Sequence, residues 1–292
     1  MFCEEGQVIK EQFEKKSSKT ADYLKERAKL TGEITALHRR VSDLQTSVAE
    51  YEASVEELAL DKEALLEEKE ELMDDFSIGG DLLRDTLDKL ENINRWLGGN
   101  KGTLRGLEII LKQHPKEQEV SIVDIGCGHG DILRDIANFG RKKGYKMRLL
   151  GVDANPAAIA YANELSTEYS EIKFKTEDIF SEEFKNRKFD VVIATLFFHH
   201  FKEKQLVSFL KQTVNQSKIG IVVNDLHRHK LAYYLFMLGS VFIRNKMIIE
   251  DGLTSVLRGF TRKDLEIISQ KINVKSQISW KWAFRFLWII KK

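Results

Sequence analysis

One stretch constrains this chain more than any other: Val123-Asp124-Ile125-Gly126-Cys127-Gly128-His129-Gly130, followed 23 residues after Gly130 by Asp153 at the end of Leu149-Leu150-Gly151-Val152-Asp153. An apolar strand runs into a glycine-rich turn, and a second apolar strand ends on a carboxylate. A parallel α/β sheet holds a nucleoside in this way: the glycines allow close backbone approach, and the acid takes the ribose hydroxyls. The spacing is G-x-G-x-G, with an acid two residues before the first glycine. Dinucleotide sites use G-x-G-x-x-G and aim a helix N-terminus at a pyrophosphate. A carboxylate at the turn, Asp124, suits a cationic or ammonium-bearing ligand better than a phosphate.

That chemistry points to S-adenosylmethionine, and the motifs downstream carry a resemblance. Glu177-Asp178-Ile179-Phe180 follows a third apolar run, and Phe189 to Thr195 leads into Leu196-Phe197-Phe198-His199-His200-Phe201. With these segments in order, residues 81–292 resemble the class I S-adenosylmethionine-dependent methyltransferases. Within that class they are most similar to the small-molecule enzymes related to ubiquinone and menaquinone biosynthesis. The resemblance implies that Asp124, Gly126, Cys127, Gly128 and Gly130 wrap the methionine part of the cofactor. It further implies Asp153 on the ribose, Ala154 beside the adenine, and Asp178 with Ile179 at the adenine amino group. Asn224 to His229 and Asp251 to Val256 are similar to segments of bacterial methyltransferases acting on polyketide, phenolic-lipid and quinone-like products.

Five short apolar runs alternate with helical patterns: Val120 to Ile125, Met147 to Val152, Ile172 to Thr176, Phe189 to Ala194, and Ile219 to Asn224. Runs of this kind between helices predict parallel strands buried on both faces. The alternating segment Ile272 to Lys291 would, by the resemblance, complete an α/β, Rossmann-like sheet of seven strands. Ligands in such sheets sit outside the carboxyl ends of the strands, near the topological switch point. That rule gathers the glycine turn, Asp153, Asp178, Thr195 to His200, and Asn224 to His229 around one cleft.

His199, His200, Asp225 and His227 are the candidates for proton transfer. Adjacent helical residues point about 100° apart, so only one of the two adjacent histidines faces the reacting atoms easily. A packed or capping histidine is the alternative for each. No second ligand cluster accompanies His227 and His229, so a metal site is not expected. Leu231 to Ile243 is apolar on nearly every side. Core packing explains it by default, and a lid over a lipophilic pocket is the functional alternative, shared with the amphipathic helix Leu82 to Leu97.

The net charge of +1 hides a division of the chain. Through Leu72 there are 11 Lys/Arg and 18 Asp/Glu; the remainder is basic by 8. Ile34, Val41, Val48 and Val55 form one column, and Leu30, Leu37, Leu44, Tyr51, Leu58, Leu65 and Leu72 another. Lys62 and Lys69 continue the first column. These heptads predict a long helix, and β-branched residues opposite leucines favour two parallel strands. Residues 1–72 are therefore expected to form a coiled coil joining a homodimer, although a partner-docking element or an appended segment fits the same pattern. Residues 73–292 are expected to form the methyltransferase domain, with 73–115 as an N-terminal helical lid and 116–292 as the catalytic core. Ser77-Ile78-Gly79-Gly80 separates the two parts.

Two cysteines, Cys3 and Cys127, suggest no disulfide framework. The N-terminus has no basic and apolar leader, and no apolar run reaches about 18 residues, so a cytoplasmic protein without a transmembrane segment is expected. No basic block with interleaved aromatics points to nucleic acid. The expected activity is O-methylation of a lipophilic small molecule such as a phenol, quinol or polyketide-like compound. C-methylation of a related ring is the alternative within enzymes, and a coiled-coil scaffold with a non-catalytic methyltransferase fold is the alternative outside them.

Overall fold

Strands form where Val and Ile runs can be buried from both sides. In the computed structural model these are β1 (Val120–Ile125), β2 (Met147–Asp153), β3 (Ile172–Thr176), β4 (Phe189–Thr195) and β5 (Ser217–Leu226). The alternating C-terminal segment gives β6 (Ser276–Lys281) and β7 (Arg285–Lys291). All seven join one sheet in the order β3-β2-β1-β4-β5-β7-β6, with β7 antiparallel to both its neighbours. The helices are α1 (Phe2–Glu68), α2 (Gly80–Trp96), α3 (Gly99–Leu111), α4 (Asp131–Lys143) and α5 (Pro156–Leu165). They continue with α6 (Glu182–Lys185), α7 (Glu203–Gln216), α8 (Lys230–Gly239), α9 (Lys246–Arg258) and α10 (Arg262–Lys271).

The structure describes residues 2–68, 79–243 and 245–292, without the side chains of 2–9, 11–14, 55–68 and 242. The expected boundary at Met73, the Ser77-Ile78 part of the linker, the heptad side chains from Val55 to Leu65 and residues Lys69 and Leu72 lie outside the described set. The chain divides into two compact units, Met1–Glu68 and Lys69–Lys292.

Period-two alternation splits the strand residues between two cores. Val123, Ile125, Val192, Ala194, Ile221 and Val223 pack with Leu206, Phe209 and Leu210 of α7 and Leu265 and Ile268 of α10. Ile122, Val191, Ile193 and Val222 pack with Leu107 and Leu111 of α3 and Ile132, Leu133 and Ile136 of α4. Burying each such side chain contributes about 1.5–3 kcal/mol, and a one-residue slip would exchange the faces. β1 lies between β2 and β4, so the crevice of the switch point opens at its carboxyl end. Asn155 accepts from the N–H groups of Ala157 and Ala158 and, with Pro156, starts α5 directly after β2.

The first unit is the 67-residue helix α1, about 100 Å long at 1.5 Å per residue. Leu30, Ile34, Leu37, Val41, Leu44, Val48 and Tyr51 are each at least half exposed along it. Among the described residues no helix is long and apolar enough to cross a membrane.

Candidate cofactor and catalytic site

The turn after β1 depends on three left-handed glycines, with φ of 68° at Gly126, 51° at Gly128 and 79° at Gly130. Their Cβ sides differ. A Cβ at Gly126 would stand 2.2 Å from the Phe197 ring, and one at Gly130 would stand 2.4 Å from Phe174. Aromatic packing thus demands glycine at both positions, a requirement the sequence pattern did not reveal. At Gly128 the nearest atom is Leu87 Cδ2 at 3.5 Å. Phe197 reaches the turn because Leu196, at the end of β4, takes a left-handed φ of 54°.

Three carboxylates converge on this turn. Asp124 is 2% exposed, and its Oδ1 has no hydrogen-bond partner. Burial pushes it well above the ordinary carboxylate range, with Asp131 and Asp153 adding to the rise. Asp153 accepts from the N–H of Gly128 and of Asn155, both at 2.9 Å. Burial still raises it, against those backbone bonds. Asp131 is likewise raised by burial and accepts from Asn100 Nδ2 at 3.1 Å. Clustered acids with no salt-bridge partner among the described residues fit a cationic ligand. The residues present therefore suit S-adenosylmethionine, whose ammonium and sulfonium would face Asp124 and whose ribose would meet Asp153.

The remaining expected cofactor residues divide by exposure. The Cys127 thiol is buried against Gly151 and its pKa is pushed up by burial, so only its backbone faces the turn. Ala154 and Asp178 are exposed, whereas Ile179 belongs to the core on the α7 side. Asp178 Oδ1 accepts from the Phe180 N–H at 2.8 Å, while Ser181 caps α6. Thr195 Oγ1 lies 2.9 Å from Thr103 Oγ1 of α3, and Thr103 Oγ1 accepts from Asn224 Nδ2 at 3.0 Å.

Helix α2 is fastened to the glycine turn. Glu91 Oε2 lies 2.9 Å from His129 Nε2 and accepts from Arg134 Nη2 at 3.4 Å, while Arg134 Nη1 donates to the His129 carbonyl at 2.6 Å. The hydrogen bond with His129 is the main cause that holds Glu91 below its ordinary pKa. Leu83 and Leu87 pack on Ala158 of α5 beside this clasp. Neither Glu91 nor His129 stands out in the sequence, because an acid in an amphipathic helix reads as a solvated face.

Asn224 and Asp225 are neighbours on β5 and point to opposite faces of the sheet. Asn224 donates to the Gly99 carbonyl at 2.7 Å on the α3 side. Asp225 serves the turn after β4: its Oδ2 accepts from the Phe198 N–H at 2.9 Å, and its Oδ1 lies 2.6 Å from His199 Nδ1. Burial alone would raise Asp225, but His199, the Leu226 N–H and His200 outweigh it and leave the carboxyl below its ordinary pKa. His199 is buried, and its ring centroid stands 4.4 Å from that of His200. His200 is the half-buried member of the pair.

His227 takes its contacts elsewhere. Trp280 Nε1 donates to its Nδ1 at 3.3 Å, and its ring packs with His229, Phe284 and Phe286. Burial, then His229 and Arg228, lower its pKa. His229 Nδ1 accepts from the Leu231 N–H and caps α8. Among the described residues no group of His, Cys, Asp or Glu could hold a metal ion.

The apolar segment after β5 is not core. Leu231, Tyr234, Leu235, Leu238 and Val241 are each at least half exposed, and in α8 only Ala232 is buried. Phe236 packs on Gly252 of α9. It is α9 that meets α2, where Asn245 Nδ2 donates to Asp85 Oδ2 at 2.8 Å and to Thr86 Oγ1 at 3.1 Å.

Residues 116–250 match the family model described as a methyltransferase domain. No curated protein matches the sequence. Among solved structures, the plantazolicin methyltransferase BpumL in complex with SAH superposes with a TM-score of 0.52 at 20% identity, covering 72% of this chain and 90% of that one. The CurJ carbon methyltransferase superposes with a TM-score of 0.50 at 13% identity, covering 65% and 53%. These likenesses are of fold. The matched span takes in the glycine turn, β4 and β5, so residues 116–250 form a methyltransferase domain, and the acids of its turn suit a sulfonium nucleoside.

Proposed function

We propose that this protein is a cytoplasmic O-methyltransferase of a lipophilic phenol, quinol or polyketide-like acceptor. The observation that carries the reading is the buried His199–Asp225 pair, at 2.6 Å, with the ring of the half-buried His200 tilted against His199 at 4.4 Å. S-adenosylmethionine, when bound, supplies an electrophilic methyl group. The protein then has to align the acceptor, exclude water and remove a proton. His200 takes the acceptor hydroxyl proton on its imidazole. His199, fixed by Asp225, holds that ring in place. A phenol has an unperturbed pKa near about 10, so a positioned base raises the reactive anion at neutral pH. Helices α2 and α9, joined through Asn245, Asp85 and Thr86, are suited to cover the cleft as a lid. The exposed apolar face of α8 supports a lipophilic acceptor.

The test is direct: the purified full chain is incubated with methyl-labelled S-adenosylmethionine and a cell extract, and the labelled product is identified. A methyl ether supports the proposal; label on ring carbon, or no transfer by a protein that binds the cofactor, overturns it.

The heptad columns of α1 support a parallel homodimer, since their apolar residues from Leu30 to Tyr51 are at least half exposed on a single helix. Val41→Asp with Val48→Asp would place like charges at the seam, and light scattering should then report half the wild-type mass. A wild-type chain that runs as a monomer at micromolar concentration contradicts the dimer.

A further inference from the structure

A cavity of about 370 Å³ opens beside the first turn of α3 and the start of β7. Its walls include Lys101, Arg105, Lys281 and Arg285 together with the exposed indoles of Trp96 and Trp282, and no carboxylate lines it. Arg285 is the informative group. It is 4% exposed; its Nη2 donates to Asn94 Oδ1 at 2.7 Å, and its Nε and Nη1 have no partner. The guanidinium lies against the backbone of Gly99, where an added Cβ would meet it at 3.0 Å. Gly99 opens α3, and its N-cap, Gly98, offers no side-chain acceptor to the first N–H groups. Burial pulls the Arg285 pKa down to about 10 against the pull of Asp225, which leaves the group cationic at neutral pH. Arg105 is held by Glu108 at 2.5 Å, whereas Lys101 and Lys281 make no ion pair among the described residues.

A buried guanidinium with unmet donors, set beside an uncapped 13-residue helix, is a pair of features that both ask for the same ligand atom type. The forked donors of arginine match carboxylate and phosphate oxygens, and flat rings stack on indoles. We propose that this cavity is an oxyanion site, taking a carboxylate or phosphate carried on an aromatic or conjugated body. Arg285 and the first turn of α3 hold the oxyanion, Lys101 and Lys281 neutralise it, and Trp96 and Trp282 cover the ring. The charge of Asp225, the partner of His199, acts on the Arg285 guanidinium at this cavity, although Asn224, which lines it, faces the other side of the sheet from Asp225. The anion is therefore assigned to the methyl acceptor; that assignment alone rests on the function proposed above.

The test titrates benzoate, phenyl phosphate and neutral phenol into the full-length protein, followed by tryptophan fluorescence and calorimetry. At least one anion should bind roughly tenfold or more tighter than phenol, and the tighter of the two identifies the oxyanion. Arg285→Gln should weaken it by roughly tenfold or more, and Lys101→Ala with Lys281→Ala by a smaller factor, while affinity for S-adenosylhomocysteine stays unchanged. If Arg285→Gln does not fold, the surface lysine double variant decides. Absence of anion binding even at about 10 mM, or binding that survives both variants, overturns the site. Anion binding by a protein that ignores S-adenosylhomocysteine would refute the methyl-transfer reading and leave the oxyanion site standing.

Discussion

At the β1–β2 end of the sheet, Asp124 and Asp131 are buried and Asp153 half-buried, with only amide and backbone donors in their hydrogen bonds. At the β5–β7 end, the Arg285 guanidinium is buried with one neutral amide as its partner. Among the described residues neither end pairs these groups in a salt bridge, in opposite senses. Charges elsewhere in the same unit are arranged differently: Glu91 has His129 and Arg134, and Asp190 has Ser121 and Lys218. An uncompensated buried charge is costly, so its persistence marks the place where a ligand completes the electrostatics. The acidic end suits the cationic cofactor, and the basic end suits an anion.

The largest effect expected is kinetic and falls between the two ends. His200→Ala should lower turnover by roughly 10²–10⁴-fold, with cofactor affinity unchanged, and should recover as pH approaches the acceptor pKa. Asp225→Asn should reproduce part of this loss, because it releases His199. Wild-type turnover in both variants would remove the base from this region.

Comparable losses, now in binding, should follow at the acidic end. Asp153→Ala removes two charge-assisted bonds to ribose, each about 1.5–3 kcal/mol, so calorimetry should show affinity falling by roughly 10²–10⁴-fold. It also leaves the Gly128 and Asn155 N–H groups without their acceptor, so the melting temperature should fall as well. An unchanged affinity would make this carboxylate a turn residue only.

The smallest effect separates charge from shape. Asp124 holds its proton above the ordinary carboxylate range, because burial favours the neutral acid. A bound cation favours the carboxylate, so binding below neutral pH should release a proton, and affinity should rise with pH until the group is ionised. Calorimetry in two buffers of different ionisation heat reads this release. Asp124→Asn should abolish it, weaken binding by about tenfold, and leave stability unchanged or higher.

Much of this was legible in the sequence. The strand runs, the G-x-G-x-G turn and Asp153 are local patterns, and period-two alternation placed the strands between helices. Arg285 was not legible: on a strand it reads as one more alternating residue, and only the packing of α3 against β7 shows it to be buried. Thr103 on Thr195 and Glu91 on His129 are contacts between distant segments that no spacing encodes. The adjacent Asn224 and Asp225 looked like one cluster, yet the pleat sends them to opposite faces. Leu231 to Val241 was apolar enough for a core, but periodicity cannot say whether a neighbour arrives to cover a face, and here much of it stays exposed.

The central claim is that the acidic turn holds a cationic nucleoside. Isothermal titration of the full-length protein with S-adenosylmethionine, S-adenosylhomocysteine and NAD tests it most directly. The account predicts that both sulfur nucleosides bind and NAD does not, because the turn lacks the pyrophosphate spacing and places buried carboxylates where phosphates would sit. NAD binding with no response to S-adenosylhomocysteine would contradict it.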